Sequence, residues 1–180
     1  MNKERLKNLI KERSLKVAEE PIFKLSSGRL SKYYIDLKQI TFDPESLYTL
    51  GRVMYESIKD LRPDGVGGLT LGADPIAYSV AMISYLEGSP IKPFVVRKEP
   101  KAHGTGRQIE GLLKAGDRVV VFEDVITTGA SALKAVQACQ KEGYQVLCVY
   151  AVVDREEGGR ENLEKEGLKV FSLFKISDLL

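Results

Sequence analysis

Apolar residues along the chain change period repeatedly, and the changes divide it into short alternating elements. Leu6, Leu9 and Ile10 recur at helical spacing among lysines and glutamates, which predicts an amphipathic helix over residues 2–13. Ile22 to Leu25 and Leu30 to Leu37 read as two strands around the turn Ser26-Ser27-Gly28. Asp43-Pro44 is a helix start, with Asp at the N-cap and Pro at the first helical position. The stripe Leu47, Leu50, Met54 and Ile58 continues that helix. Gly65 to Leu69 is a short apolar strand. Asp74-Pro75 repeats the helix-start signal, for a helix running to about Leu86. Further strands are expected at Phe94 to Val96, Val119 to Phe122, Val146 to Val153 and near Leu168 to Leu173. Helices are expected at Ala130 to Glu142, stopped by Gly143, and near Glu161 to Glu166.

Strands alternating with helices predict an α/β fold, a mainly parallel central sheet flanked by helices. Ligands of such sheets gather at the carboxyl ends of the strands. Repeats, linkers and low-complexity segments are absent from the sequence. Its 180 residues suit one domain with a full core.

Composition narrows the function. A net charge of +2 argues against nucleic acid or an anionic membrane as partner. No stretch approaches the roughly 18 to 20 apolar residues needed to span a bilayer. The charged N-terminus lacks a signal core, so the default location is the cytoplasm. One histidine, His103, excludes a multi-histidine metal site, and Cys139 and Cys148 read as reduced, buried thiols.

The chemistry concentrates at Val119-Val120-Val121-Phe122-Glu123-Asp124-Val125-Ile126-Thr127-Thr128-Gly129-Ala130-Ser131. An apolar run ends in two carboxylates, and a small, hydroxyl-rich turn leads into a helix. Such a turn presents backbone N–H groups and the positive end of a helix dipole to an anion. The acids beside it could hold sugar hydroxyls or a metal. The plainer alternative is a helix start whose Thr and Ser serve only as caps. Capping needs one of those residues, whereas two acids, two Thr, a Gly and a Ser crowd the turn. The phosphate-binding pattern G-x-x-x-x-G-K-[ST] is not present.

Residues 97–107 form a second constellation, with Arg97, Lys98, Lys101, Arg107 and His103 among Pro100, Gly104 and Gly106. Most charge runs are solvated loops. A flexible cationic loop can also close over a multiply charged anion such as pyrophosphate. Tyr33-Tyr34 after Ser26-Ser27-Gly28-Arg29 could support a planar ring, although by itself the pattern favours a tyrosine in the core. Gly67-Gly68-Leu69-Thr70-Leu71-Gly72-Ala73-Asp74, a Gly-rich strand end before a helix, could let a phosphate approach the backbone, a weak signal alone. Arg155, after a long apolar strand, could meet a ligand carboxylate or the neighbouring Glu156 and Glu157.

Taken in order, these segments resemble the orotate phosphoribosyltransferase family. The run 123–129 resembles the signature of type I phosphoribosyltransferases, which bind 5-phosphoribosyl 1-diphosphate (PRPP). Arg97-Lys98, Lys101 and His103-Gly104, followed by Ile109-Glu110-Gly111, resemble the mobile loop of the orotate enzymes. The resemblance implies the type I fold over residues 1–180, with a small N-terminal hood over about residues 1–40. It implies transfer of phosphoribosyl from PRPP to orotate, giving orotidine 5′-monophosphate and pyrophosphate in pyrimidine biosynthesis. It also implies Mg²⁺ on the diphosphate rather than on protein ligands, and a homodimer whose loop 97–108 is shared between subunits. Carried over by residue, Glu123 and Asp124 hold the ribose and Thr127, Thr128, Gly129, Ala130 and Ser131 cradle the 5′-phosphate, with Val125 and Ile126 also counted among the PRPP-binding residues. Arg97, Lys98, Lys101 and His103 meet the pyrophosphate, and Tyr33, Tyr34, Thr127 and Arg155 meet orotate. The catalytic weight falls on Lys101, Arg97 and Asp124. Many relatives carry lysine where this chain has Ser26, and an aromatic-lysine pair where it has Ala73-Asp74. The alternatives are a phosphoribosyltransferase for a purine and a non-catalytic PRPP-sensing regulator of the same fold. A generic nucleotide-binding module explains the turn but leaves the loop idle.

Overall fold

The computed structural model describes residues 2–24, 28, 30–99 and 108–180. Helix α1 (Asn2–Arg13) is followed by the short strands β1 (Leu15–Val17), β2 (Phe23–Lys24), β3 (Leu30–Ser31) and β4 (Tyr33–Ile35). The expected strand from Leu30 to Leu37 is therefore broken. β3 pairs antiparallel with β2, while β4 pairs antiparallel with β1, a strand that sequence reading missed. Three residues, of which Lys16 and Val17 are exposed and only Leu15 half-buried, carry too little periodicity to announce β1. The expected strand from Ile22 to Leu25 is described only at Phe23–Lys24.

Helices α2 (Lys38–Thr41) and α3 (Pro44–Ile58) follow. Asp43 caps α3 as expected, its Oδ2 accepting from Ser46 N–H at 2.9 Å. Arg13 ties α1 to the same cap, donating to Asp43 Oδ2 at 2.8 Å and to Ser46 Oγ at 2.9 Å. After β5 (Gly65–Leu69) comes α4 (Asp74–Leu86), and the repeated helix-start signal there needs correction. Ala73 occupies the N-cap without a side-chain cap, and Asp74 lies inside the first turn. Asp74 accepts instead from Thr70 Oγ1 at 2.6 Å, bracing the connection between β5 and α4.

The remaining elements are β6 (Lys92–Val96), β7 (Ile109–Gly111), β8 (Arg118–Ile126), α5 (Ala130–Lys141), β9 (Gln145–Asp154), α6 (Gly159–Lys165), β10 (Val170–Lys175) and α7 (Ile176–Leu179). Among the described residues the main sheet has the order β10-β9-β8-β5-β6-β7, parallel except for β7 at one edge. Alternate residues of β8 point to opposite faces. Val120 and Phe122 enter the core beneath α3 and α4, while Val119 and Val121 enter the one beneath α5 and α6. Covering both faces is what turned the central strands into continuous apolar runs. Gly67 and Gly68 serve this packing rather than an open turn. A Cβ on Gly67 would lie 2.1 Å from Phe94 O, and one on Gly68 2.2 Å from Phe122 O.

Cys139 and Cys148 are free and buried, and burial pushes their thiols up to about 12 and about 11. Among the described residues no helix is long and apolar enough to cross a membrane.

Candidate active site

Strand β8 does not stop at its carboxylates. Glu123, Asp124, Val125 and Ile126 all belong to it, with Glu123 opposite Ala151 and Ile126 opposite Asp154 on β9. The sequence-based end at Phe122 fails because tertiary pairing with β9 holds two acids in strand geometry despite their low strand propensity. Strand geometry places the two acids more rigidly than a turn would.

Beyond Ile126 the chain enters the turn Thr127-Thr128-Gly129, and α5 starts at Ala130. Gly129 is the N-cap, at φ +83°, and no side chain caps the helix. Thr128 Oγ1 lies 3.5 Å from Ala130 N, at the outer limit of a hydrogen bond. Capping therefore does not explain the hydroxyls. The first N–H groups of α5 are left to face whatever occupies the turn, as at other helix N-termini. Glu123 and Val125 to Ser131 line a polar hollow of about 60 Å³. Thr128, Ala130 and Ser131 are exposed and Thr127 half-exposed. Ile126 is buried in the core, so its side chain only positions the turn.

The turn is braced from behind. Asn162 on α6 donates to Thr128 O at 3.1 Å. Gly159 packs so closely that a Cβ there would lie 2.5 Å from Thr127 O and 2.9 Å from Gly129 N. Sequence reading passed over both residues. The pair Gly158-Gly159 was visible, but nothing local linked it to a turn thirty residues earlier.

Asp124 Oδ1 accepts from Val125 N–H at 2.8 Å. The Glu123 carboxyl is held well above the usual carboxylate range, first by burial, then by the charge of Asp124 and a hydrogen bond with it. Asp124 faces a second cavity, of about 320 Å³, whose lining includes Lys98, Gly72 and Lys38. Arg97 stands at the stem of its loop. Its N–H donates to Gln108 O at 2.9 Å, and its guanidinium lies 3.6 Å from Glu110. Lys101 and His103, like Ser26, Ser27 and Arg29, lie outside the described residues.

Arg155 is buried. Its Nε donates to Glu157 at 2.7 Å, so the neighbouring acid is engaged. Its Nη2 donates to Ser31 Oγ at 3.1 Å and to Tyr33 O at 3.2 Å, which joins the N-terminal segment to the end of β9. Arg155 N–H also donates to Ile126 O at 3.0 Å, so Arg155 and Thr127 each follow directly on the paired ends of β9 and β8. Tyr33 packs against the core, as its strand pattern favoured, while Tyr34 is exposed and stacks on Phe23 at 5.8 Å between ring centroids.

The site thus brings together a phosphate-sized turn, two strand-borne acids, a cavity edged with lysines and a buried arginine. Among the described residues no group of three or more His, Cys, Asp or Glu could hold a metal.

Comparison with known proteins is consistent with that geometry. No family model matches the chain. The chain is 67% identical over 180 residues to the orotate phosphoribosyltransferase of Aquifex aeolicus, covering all of this chain and 98% of that protein. It is similar in structure to Mycobacterium tuberculosis orotate phosphoribosyltransferase in complex with Fe(III) dicitrate, with a TM-score of 0.85, 43% identity and 99% of each chain covered. The same enzyme in complex with PRPP superposes with a TM-score of 0.79 at 37% identity, covering 99% of this chain and 92% of that one.

Proposed function

The chain belongs to the orotate phosphoribosyltransferase family, and on that premise we propose that PRPP and orotate meet at the carboxyl ends of β5, β8 and β9. The reaction transfers the phosphoribosyl group of PRPP to orotate, giving orotidine 5′-monophosphate and pyrophosphate in pyrimidine biosynthesis. The observation that carries the site assignment is the uncapped start of α5 beside the Thr127–Ser131 hollow.

In this reading Thr127 to Ser131 hold the 5′-phosphate and Glu123 and Asp124 hold the ribose hydroxyls. Both acids stand side by side on β8, where carboxyl oxygens can accept from ribose hydroxyls. Orotate carries an ionised carboxylate, for which a guanidinium is a fitting partner. Arg155, with Thr127 following on the paired strand end and the segment Tyr33-Tyr34 attached to it, supplies that cation. Arg97, Lys98, Lys101 and His103 meet the diphosphate.

As the C1–diphosphate bond breaks, its electron pair leaves with the diphosphate oxygen and positive character grows on the ribose. The protein's work is positioning and charge stabilisation, with no covalent intermediate on a side chain. Mg²⁺ would ride on the diphosphate of PRPP, and the cavity lined by Lys98 and Asp124 is where that magnesium diphosphate would lie. When bound, the ion would supply further charge neutralisation to the leaving group.

The proposal includes a homodimer sharing loop 97–108, a hood over about residues 1–40 and a cytoplasmic location. Tyr78, Met82, Tyr85 and Leu86 support the dimer. They leave a large apolar stripe exposed on α4, the composition expected of a surface that a second subunit covers. The purine alternative gains nothing from a buried arginine beside the base position. The test mixes protein, PRPP and Mg²⁺ with orotate or with a purine base and follows loss of each base. Consumption of a purine in place of orotate overturns the reading.

A further inference from the structure

Helix α2 carries a cation to the mouth of the cavity that contains Asp124. Lys38 and Thr41 form one wall, Gly72 and Pro75 on the β5–α4 connection form the other, and Lys98 and Asp124 close it. Among the described residues, two lysines and one carboxylate thus line a space of about 320 Å³. The start of the 13-residue helix α4 forms part of the same wall, adding the positive end of its dipole. That wall contributes no cationic side chain of its own, since its sequence is Leu71-Gly72-Ala73-Asp74-Pro75.

Lys38 is held but not consumed. Its Nζ donates to Asp36 Oδ1 at 3.0 Å, and its backbone N–H reaches the same oxygen at 3.1 Å. The lysine side chain remains 52% exposed. Its pKa is raised, chiefly by the hydrogen bond to Asp36, with smaller contributions from the charges of Asp36, Tyr34 and Asp124. Exposed ion pairs of this kind contribute little to stability, so exchanging Asp36 for a phosphate oxygen costs little. The ammonium is a point charge on a flexible stem and can make that exchange without moving the backbone.

We propose that Lys38 is a further PRPP-binding residue, a cation that the N-terminal segment extends to the diphosphate. This rests on the reading that the site binds PRPP. The turn 127–131 accommodates one phosphate, whereas the cavity on the other side of Asp124 offers the charge that a diphosphate needs. As the diphosphate departs with the electron pair of the C1–O bond, Lys38 faces the growing negative charge and transfers no proton.

Calorimetric titration of wild type, Lys38→Ala and Lys38→Arg with magnesium PRPP, magnesium pyrophosphate and ribose 5-phosphate tests this. Lys38→Ala is expected to weaken PRPP and pyrophosphate by about tenfold or more, as loss of a charged phosphate contact does. Ribose 5-phosphate affinity and the KM for orotate stay within about twofold, and Lys38→Arg recovers most of the loss. Unchanged pyrophosphate affinity in Lys38→Ala overturns the proposal, as does an equal loss for ribose 5-phosphate, which would mark a general disturbance of the site. Failure of the wild type to bind PRPP would instead overturn the assignment of the whole site, and Lys38 with it.

Discussion

Gly72 and Asp124 touch across the β5–α4 connection with no room for another atom. A Cβ on Gly72 would lie 2.6 Å from Asp124 Cγ and 2.6 Å from Asp124 Oδ2. The glycine sits beside the carboxylate proposed to hold the ribose, so its missing side chain defines where that carboxylate rests. Gly72→Ala should leave the fold intact, lower stability by about 1–3 kcal/mol and displace Asp124. Because misplacement by an ångström can cost on the order of a hundredfold, kcat/KM for PRPP should fall at least about tenfold. Steady-state kinetics beside a thermal melt check this, and wild-type kinetics would sever Gly72 from the site.

Gly159 should be less tolerant than Gly72, because its neighbours include backbone atoms as well as the Ile126 side chain, and backbone cannot rotate aside. Gly159→Ala pushes on Thr127 O and Gly129 N together, so the turn itself must shift. The expected result is weakened binding of ribose 5-phosphate in a titration. Asn162→Ala, which removes one hydrogen bond to Thr128 O, should weaken it less, by about 0.5–1.5 kcal/mol. The reverse ranking would contradict the bracing role of α6.

Arg155 should combine a binding role with a structural one. Arg155→Ala leaves Glu157 without the guanidinium that it meets with side-chain exposures of only 5% and 18%. Breaking a buried pair from one side costs about 3–5 kcal/mol, so the thermal midpoint should drop clearly. Arg155→Lys keeps the charge without the fork that reaches Ser31 and Tyr33 together. For that variant the KM for orotate should rise more than the KM for PRPP, and equal changes in both would argue against orotate recognition.

Glu123 makes stability depend on pH in a definite direction. Its pKa is raised in the folded protein, so the folded state holds a proton that the unfolded state releases. Stability is full below about 4.5, the ordinary value, and is lost as pH rises toward the raised one. Glu123→Gln removes that loss. The difference in thermal midpoint between Glu123→Gln and wild type should therefore grow with pH above about 4.5 and then level off. Parallel midpoint curves would show that Glu123 titrates normally.

Lys101, carried over from the family's mobile loop, should act on the chemical step. Lys101→Ala is expected to lower turnover by on the order of a hundredfold, as removal of one transition-state charge contact does, with the thermal midpoint unchanged. Near-normal turnover would remove Lys101 from the mechanism.

What the sequence determined by itself was local or composed of recognisable runs. The Asp43 cap, the period of α1, the apolar β5 and β8 and the crowded turn at 127–131 all depend on neighbours within a few residues. The order of the five segments along the chain pointed to PRPP and orotate before any distance was known. Tertiary structure decided the rest, because the contacts involved join residues far apart in the chain. Pairing with β9 carried β8 past its acids to Ile126, which strand propensity opposed. Asp74, which reads locally as a cap, bonds to Thr70 once β5 and α4 fix the connection between them. Gly72 against Asp124, Gly159 against Thr127, Arg155 against Tyr33 and Lys38 beside Lys98 are each a meeting of two elements. A sequence shows the chemical type of such residues but not their separation, and at this site separation decides which charges share a cavity.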